Sequence, residues 1–342
     1  MVKVDLITGF LGSGKTTFIL KYADYLRRAG QKFFIIENEF GPVSVDTAIL
    51  KDAWSNKKVG VSTDAAAITE AETNSPAGSM EIRDLTGTCM CCSGFEKFRT
   101  LLLEGARCGC DRILVEPSGI YDVDEFFHMM QLDSIREQCE IGSVLTVVSP
   151  EPCAVSDETA YLMFSQLLAA GHVLISKTQL FPEEQTAETV TEMNRILTER
   201  GAEPLPPELI TQSPWDALTD ADLEALTRAG FRVVPHNREI SQHEMLFSTS
   251  LLSVRGAEPE RMEPLLKNVF HDALHFGTVL RIKGFVRGTD RTWYEINATP
   301  GVTSVRPGNV SRGLLVCIGQ NLNEPAVRSA FQNEAGMNVQ IS

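Results

Sequence analysis

The hydrophobic positions of this chain fall into short continuous runs separated by longer stretches of helical spacing. Val2-Lys-Val-Asp-Leu-Ile-Thr8, Gln31-Lys-Phe-Phe-Ile-Ile-Glu37, Asp111-Arg-Ile-Leu-Val-Glu116 and residues 143–148 and 172–176 are such runs. A short apolar run without polar alternation predicts a strand buried on both faces. Between the runs, residues 18–26, 94–108, 123–135 and 158–170 read as helices, and in the second of these Phe95, Phe98, Leu101 and Leu102 fall on one face. Strict alternation of strands and helices predicts an α/β fold with a mostly parallel sheet covered by helices on both faces.

Residues 182–200 continue as a helix with Pro182 suitably placed at its start. Pro204-Leu-Pro-Pro-Glu-Leu209 is a rigid connection, and the stretch 215–226 carries a helix cap at Thr219 or Asp220. From Leu246 the pattern changes. Residues 247–254, 278–286, 292–298 and 313–319 are strand-like, and 259–274 and 324–332 are helix-like, which predicts a smaller α+β domain with a largely antiparallel sheet. The expected organisation is therefore a first domain over residues 1–235, a polar linker at 236–245 and a C-terminal domain at 246–335. Residues 51–80 have little periodicity and many small polar side chains, as an irregular insertion would.

A length of 342 residues suits two cores, and 43% hydrophobic with 22% charged residues can build them. The net charge of −14 argues against nucleic acid or an anionic membrane as the main partner. No apolar stretch approaches the ~18–20 residues that span a bilayer. The first strand begins at once, so a cytoplasmic protein is expected. Eight cysteines in a reducing compartment point to metal or redox chemistry rather than a disulfide framework.

The first candidate chemistry lies between strand and helix, at Gly9-Phe-Leu-Gly-Ser-Gly-Lys-Thr-Thr17. It fits the phosphate-cradling pattern G-x-x-x-x-G-K-[ST], in which glycines let backbone N–H groups converge on phosphate oxygens beside a helix N-terminus. Gly9, Gly12, Ser13, Gly14, Lys15, Thr16 and Thr17 are the candidate nucleotide-binding residues. Lys15 would neutralise the β/γ-phosphates, and the Thr16 hydroxyl would hold Mg²⁺. Glu116 ends a strand where a carboxylate can reach that ion, and Gly119 can offer an N–H to the γ-phosphate; a plain helix cap is the competing reading of Glu116. Glu37, Glu39 and Asp46 form an acidic set suited to Mg²⁺, the attacking water or a delivered metal, with a solvated loop as the alternative.

Cys89-Met-Cys-Cys92 supplies three soft ligands within four residues, a thiolate site for Zn²⁺ or a similar ion. The fourth ligand would be water, Glu39 or another side chain, and buried packing cysteines are the alternative. Cys108 and Cys110 read as packing residues, and Cys139, Cys153 and Cys317 as structural. His236 and His243 read as exposed polar residues.

Together these residues resemble the CobW-type family of P-loop GTPases, metallochaperones related to the accessory GTPases of hydrogenase and urease maturation. The resemblance rests on the phosphate loop, the segment Glu37-Asn-Glu-Phe-Gly41 with Asp46, Cys89-Met-Cys-Cys92 and Glu116-Pro-Ser-Gly119. It extends to Arg281-Ile-Lys-Gly-Phe-Val286 and Val316-Cys-Ile-Gly319. It implies GTP hydrolysis coupled to trafficking of Zn²⁺, Co²⁺ or Ni²⁺ to a client metalloprotein or metal-cofactor enzyme, with the cysteines as the cargo site and a homodimer as one allowed assembly. One departure matters. Where the family usually carries Asn-Lys-x-Asp, this chain has Ser176-Lys-Thr-Gln179. Lys177 can still pack over the base, but Gln179 lacks the charge that pairs with guanine, a loss of about 1–3 kcal/mol in selectivity. Relaxed selectivity, with ATP tolerated beside GTP, is the expectation. Two other readings compete: a small-molecule kinase with a structural cysteine cluster, and a nucleotide-dependent scaffold that captures a client without turnover.

Overall fold

The computed structural model describes residues 1–38, 80–85, 94–151, 156–232, 247–308, 313–333 and 338–340. Glu39, Asp46, Cys89, Cys91, Cys92, Cys153, His236 and His243 lie outside them, as do the expected linker and all but the last residue of the expected insertion. The chain divides into two compact units, Met1–Pro150 with Ser156–Glu239 and Glu151–Val155 with Ile240–Ser342.

The first unit is built on seven parallel strands: β1 (Val2–Thr8), β2 (Phe33–Glu37), β3 (Met80–Asp84), β4 (Arg112–Glu116), β5 (Cys139–Val148), β6 (His172–Ile175) and β7 (Ile210–Thr211), in the order β3-β2-β4-β1-β5-β6-β7. The continuous apolar runs are explained by burial on both faces. In β2, Phe34 and Ile36 join one core while Phe33 and Ile35 join the other. Helices α1 (Lys15–Arg28) and α7 (Asp220–Leu226) cover the second face through Phe18, Ile19, Tyr22, Leu26, Leu223 and Leu226. Helices α2 (Phe95–Arg107), α3 (Val123–Met130) and α4 (Asp133–Arg136) cover the first through Phe98, Leu102, Phe126, Met129 and Ile135. Helices α5 (Asp157–Leu168) and α6 (Glu183–Glu199) pack on Val148, Val173 and Ile175 near the β7 edge.

Two details depart from the pattern reading. The helix expected at 123–135 is two helices, because the chain turns between Met130 and Asp133. Strand β3 was not anticipated: Met80-Glu-Ile-Arg-Asp84 alternates apolar and polar residues at the sheet edge, where Ile82 enters the core.

The second unit is a six-stranded sheet, β8 (Phe247–Ala257), β9 (Thr278–Gly288), β10 (Trp293–Ala298), β11 (Thr303–Pro307), β12 (Leu314–Gln320) and β13 (Asn338–Gln340), ordered β11-β10-β9-β12-β8-β13. It is antiparallel apart from a short parallel pairing between β8 and β9. Helices α8 (Pro259–His271), α9 (Ala273–Phe276) and α10 (Glu324–Asn333) close its own core through Met262, Leu266, Phe276, Val327 and Phe331.

Candidate functional site

The strand order decides which side chains can meet. Strand β4 lies between β1 and β2, and β5 flanks β1 on the other side, so the carboxyl end of β1 is the point from which the chain departs both ways. Ligands of open α/β sheets sit in the crevice at such a point. The loop from Gly9 to Gly14 lies there and runs into α1.

Gly9, Gly12 and Gly14 hold φ of 142°, 75° and 103°, values a side chain would strain. Gly9 is also sterically required, since a Cβ there would lie 2.1 Å from Val147 O. Lys15 is buried and its Nζ donates to Gly9 O at 2.9 Å and to Phe10 O at 3.3 Å, so the ammonium folds over the loop. Thr16 Oγ1 donates to Glu116 Oε1 at 2.7 Å. Among the described residues, the buried Ser13 Oγ has no hydrogen-bond partner. An unmade bond of that kind costs about 1–3 kcal/mol, and a phosphate oxygen would satisfy it. Thr17 is exposed.

Glu116 is buried at the end of β4, directly in register with Glu37 of β2, which is in register with Asp84 of β3. In-register residues of parallel strands share a face, so the three carboxylates form one row at the carboxyl edge. Asn38 ties this row together: its N–H donates to Glu116 O at 2.8 Å, its Nδ2 donates to Leu85 O at 3.1 Å, and Leu85 N donates to Glu37 O at 3.0 Å. Gly119 follows Glu116 and lies hard against the phosphate loop, where a Cβ would meet Leu11 N at 2.5 Å. The buried Gln166 of α5 braces it, Nε2 donating to Gly119 O and Tyr121 O, both at 3.4 Å.

On the other side of β1, Ser176 is fully buried and its Oγ donates to Ser13 O at 2.5 Å, joining the turn after β6 to the phosphate loop. Lys177 adopts φ 55°, and Gln179 is exposed in the short 3-10 turn Thr178–Leu180.

The structure thus brings together Gly9, Gly12, Ser13, Gly14, Lys15, Thr16, Glu116, Gly119 and Ser176, with Glu37 in the same carboxylate row. A hydroxyl and a carboxylate at 2.7 Å are the hard oxygen donors that Mg²⁺ takes, so Thr16 and Glu116 fit that ion. Asn38, Gln166 and Ser176 were not singled out for these bonds in the sequence reading. For Gln166 the signal was available: Ser165-Gln166 interrupts an otherwise apolar helix face, which predicts buried polar side chains with partners.

Among the described residues no group of three or more His, Cys, Asp or Glu side chains gathers to hold a metal ion. Burial pushes the Cys110 and Cys317 thiols up to about 12 and that of Cys139 to about 11. Desolvation and the Glu81 carboxylate raise Cys108 to about 11. All four remain protonated at neutral pH. Cys110, Cys139 and Cys317 are buried packing residues, whereas Cys108 is exposed at the end of α2, contrary to its expected packing role. Among the described residues, no helix is long and apolar enough to cross a membrane.

A parallel sheet with a glycine-rich loop, a lysine and a Thr–carboxylate pair at its centre defines a P-loop nucleotide-binding protein. Residues 3–202 match the family model described as CobW/HypB/UreG, nucleotide-binding domain, and residues 248–335 match the cobalamin synthesis protein cobW C-terminal domain. The chain belongs to the CobW/HypB/UreG family. It is 26% identical over 376 residues to the zinc chaperone CobW of Pseudomonas aeruginosa, covering 96% of this chain and 90% of that protein. It is 26% identical over 193 residues to the zinc chaperone YeiR of Escherichia coli, covering 55% of this chain and 50% of that protein. The crystal structure of Zn(II)-bound YjiA GTPase from E. coli matches with a TM-score of 0.40 at 20% identity, covering 97% of this chain and 98% of that one.

Proposed function

We propose that this chain is a nucleotide-hydrolysing metallochaperone that binds GTP, with ATP tolerated, and couples its hydrolysis to delivery of a transition metal to a client protein. The observation that carries the reading is the hydrogen-bonded path from Glu116 through Asn38 to Leu85. One end of that path is the backbone carbonyl of Glu116, the residue whose side-chain Oε1 accepts from Thr16 at the phosphate loop. The other end is four residues before Cys89.

The roles follow from the groups present. Incoming phosphate oxygens compete with Gly9 O and Phe10 O for the Lys15 ammonium, and Ser13 Oγ gains the partner it lacks. Thr16 and Glu116 hold Mg²⁺, which supplies charge neutralisation to the phosphates. Gly119 offers its N–H to the γ-phosphate side, and Glu39 orients water. Asp46 is a further carboxylate for Mg²⁺. Lys177 and Gln179 face the base, and the uncharged Gln179 is the reason ATP is tolerated. Cys89, Cys91 and Cys92 hold the cargo, Zn²⁺, Co²⁺ or Ni²⁺, as thiolates. A shift at Glu116 on nucleotide binding moves Asn38 and Leu85 and so alters the cysteine segment. The names of the zinc-chaperone relatives support metal as cargo.

Zinc titration of the nucleotide-free, GTP-bound and ATP-bound chain tests this. Zinc affinity is expected to differ between the free and loaded forms by at least fivefold, the scale of about 1 kcal/mol of coupling. GTP and ATP should compete within about tenfold of one another. Equal zinc affinity in all forms would remove the coupling, and a strong GTP preference would remove the ATP tolerance.

A further inference from the structure

The loop between β7 and α7 carries Trp215, whose ring reaches the phosphate loop. A Cβ placed on Gly14 would lie 3.0 Å from Trp215 Cη2 and 3.6 Å from Ser176 Cβ. The ring also meets Phe18 of α1 edge-on, with centroids 5.5 Å apart. Phe18 in turn stacks on Tyr22 at 5.7 Å. Trp215 is half-buried, and among the described residues its buried Nε1 has no hydrogen-bond partner. Packing alone therefore seats the indole, against the usual habit of buried tryptophan.

The segment behind the ring is anchored at both ends. Thr219 and Asp222 form a reciprocal capping box at the start of α7. Asp220 receives Arg28 of α1 through two bonds, at 2.5 Å and 2.8 Å. Thr227 O, just past the helix, accepts from Arg112 Nη2 at 3.2 Å. A ring on such a base resists displacement.

We propose that Trp215 is a positioning residue for nucleotide binding: its ring bears on Gly14 and keeps the phosphate loop at a set distance from the Ser176–Lys177 turn. This rests on the nucleotide-binding reading above. Two contacts pin neighbouring residues of one loop, the Ser176 hydroxyl on Ser13 O and the indole on Gly14. The first sets the separation of the phosphate and base sides, and the second stops Gly14 from moving off. Glycine is favoured at position 14, because its φ of 103° strains any side chain and a Cβ would crowd the ring at 3.0 Å. The ring lies on the β6–β7 side of β1, away from the Thr16–Glu116 pair on the β4 side. It should therefore govern binding rather than turnover.

The chain has three tryptophans, Trp54, Trp215 and Trp293. In the full-length double variant Trp54→Phe/Trp293→Phe, Trp215 emission should shift on addition of GDP, with a midpoint matching the Kd from calorimetry. Trp215→Ala should raise the KM for GTP at least tenfold and leave kcat within twofold. Trp215→Phe keeps an aromatic ring beside Phe18 but lacks the Cη2 atom that approaches Gly14, so it should recover only part of the loss. If Trp215→Ala does not fold, as judged by its melting transition, the emission titration and Trp215→Phe decide the matter. Unchanged emission while calorimetry records GDP binding would overturn the proposal and leave the nucleotide reading standing. So would a wild-type KM in a folded Trp215→Ala, or KM and kcat changing together. Absence of calorimetric binding of both GDP and GTP to the parent chain would overturn both.

Discussion

Thr16 and Glu116 stand 100 positions apart in the chain and 2.7 Å apart in space. The glycines, Lys15 and Thr16 were legible because the phosphate loop is a local device: its residues are contiguous and their backbone needs can be read from residue type. Glu116 was legible as a strand-end carboxylate able to reach the ion that Thr16 would hold, but the direct hydrogen bond between the two was not. Glu116→Gln keeps an oxygen to accept from Thr16 and removes the charge. Stability should stay within about 1 kcal/mol, while Mg²⁺-dependent phosphate release should fall about 10²-fold, the equivalent of nearly 3 kcal/mol of lost charge stabilisation. Unchanged release would assign the metal's carboxylate to another residue. Ser176 shows the limit of residue-by-residue comparison. Against the family pattern it counts as a lost Asn, yet its hydroxyl ties the turn after β6 to Ser13 O.

At the scale of elements, β1 was read as an apolar run, yet its centre holds a fully buried aspartate. Arg112 Nη1 of β4 donates to Asp5 Oδ1 and Oδ2 at 2.5 Å and 2.6 Å, Tyr22 of α1 donates at 2.9 Å and Ser143 N of β5 at 2.8 Å. The β1–β5 register shifts at this point, between Val4 and Leu6. One carboxylate thus joins the phosphate-loop strand to both neighbours and to the helix that follows the loop. Asp5→Asn leaves the Arg112 charge buried without its counter-ion and should cost about 3–5 kcal/mol in chemical denaturation. An Asp5→Leu/Arg112→Leu double variant should lose much less. If the single variant costs no more than the double, the pair is not a coupled ionic unit. Nothing in the local pattern around Asp5 or Arg112 indicated the other, because their pairing depends on β4 lying beside β1.

At the scale of the whole molecule, the two units each close their own core. Leu266→Ala, a fully buried change in α8, should destabilise the C-terminal unit by about 2–5 kcal/mol and leave GTP affinity within twofold. Parallel loss of GTP affinity would show that the two cores unfold as one. The change of pattern near Leu246 was readable because a two-faced parallel sheet and a one-faced antiparallel sheet demand different hydrophobic spacing. The sequence by itself determined the phosphate loop, the parallel α/β architecture and the separate C-terminal sheet, since each follows from contiguous residue types or from periodicity. Tertiary structure alone decided the strand order, and with it the Thr16–Glu116 contact, the Asn38–Leu85 bond, the Gln166 brace on Gly119 and the Trp215 ring beside Gly14. These contacts join segments far apart in the chain. Their selection depends on which strands lie side by side, a choice made by packing the whole sheet and not written in any single segment.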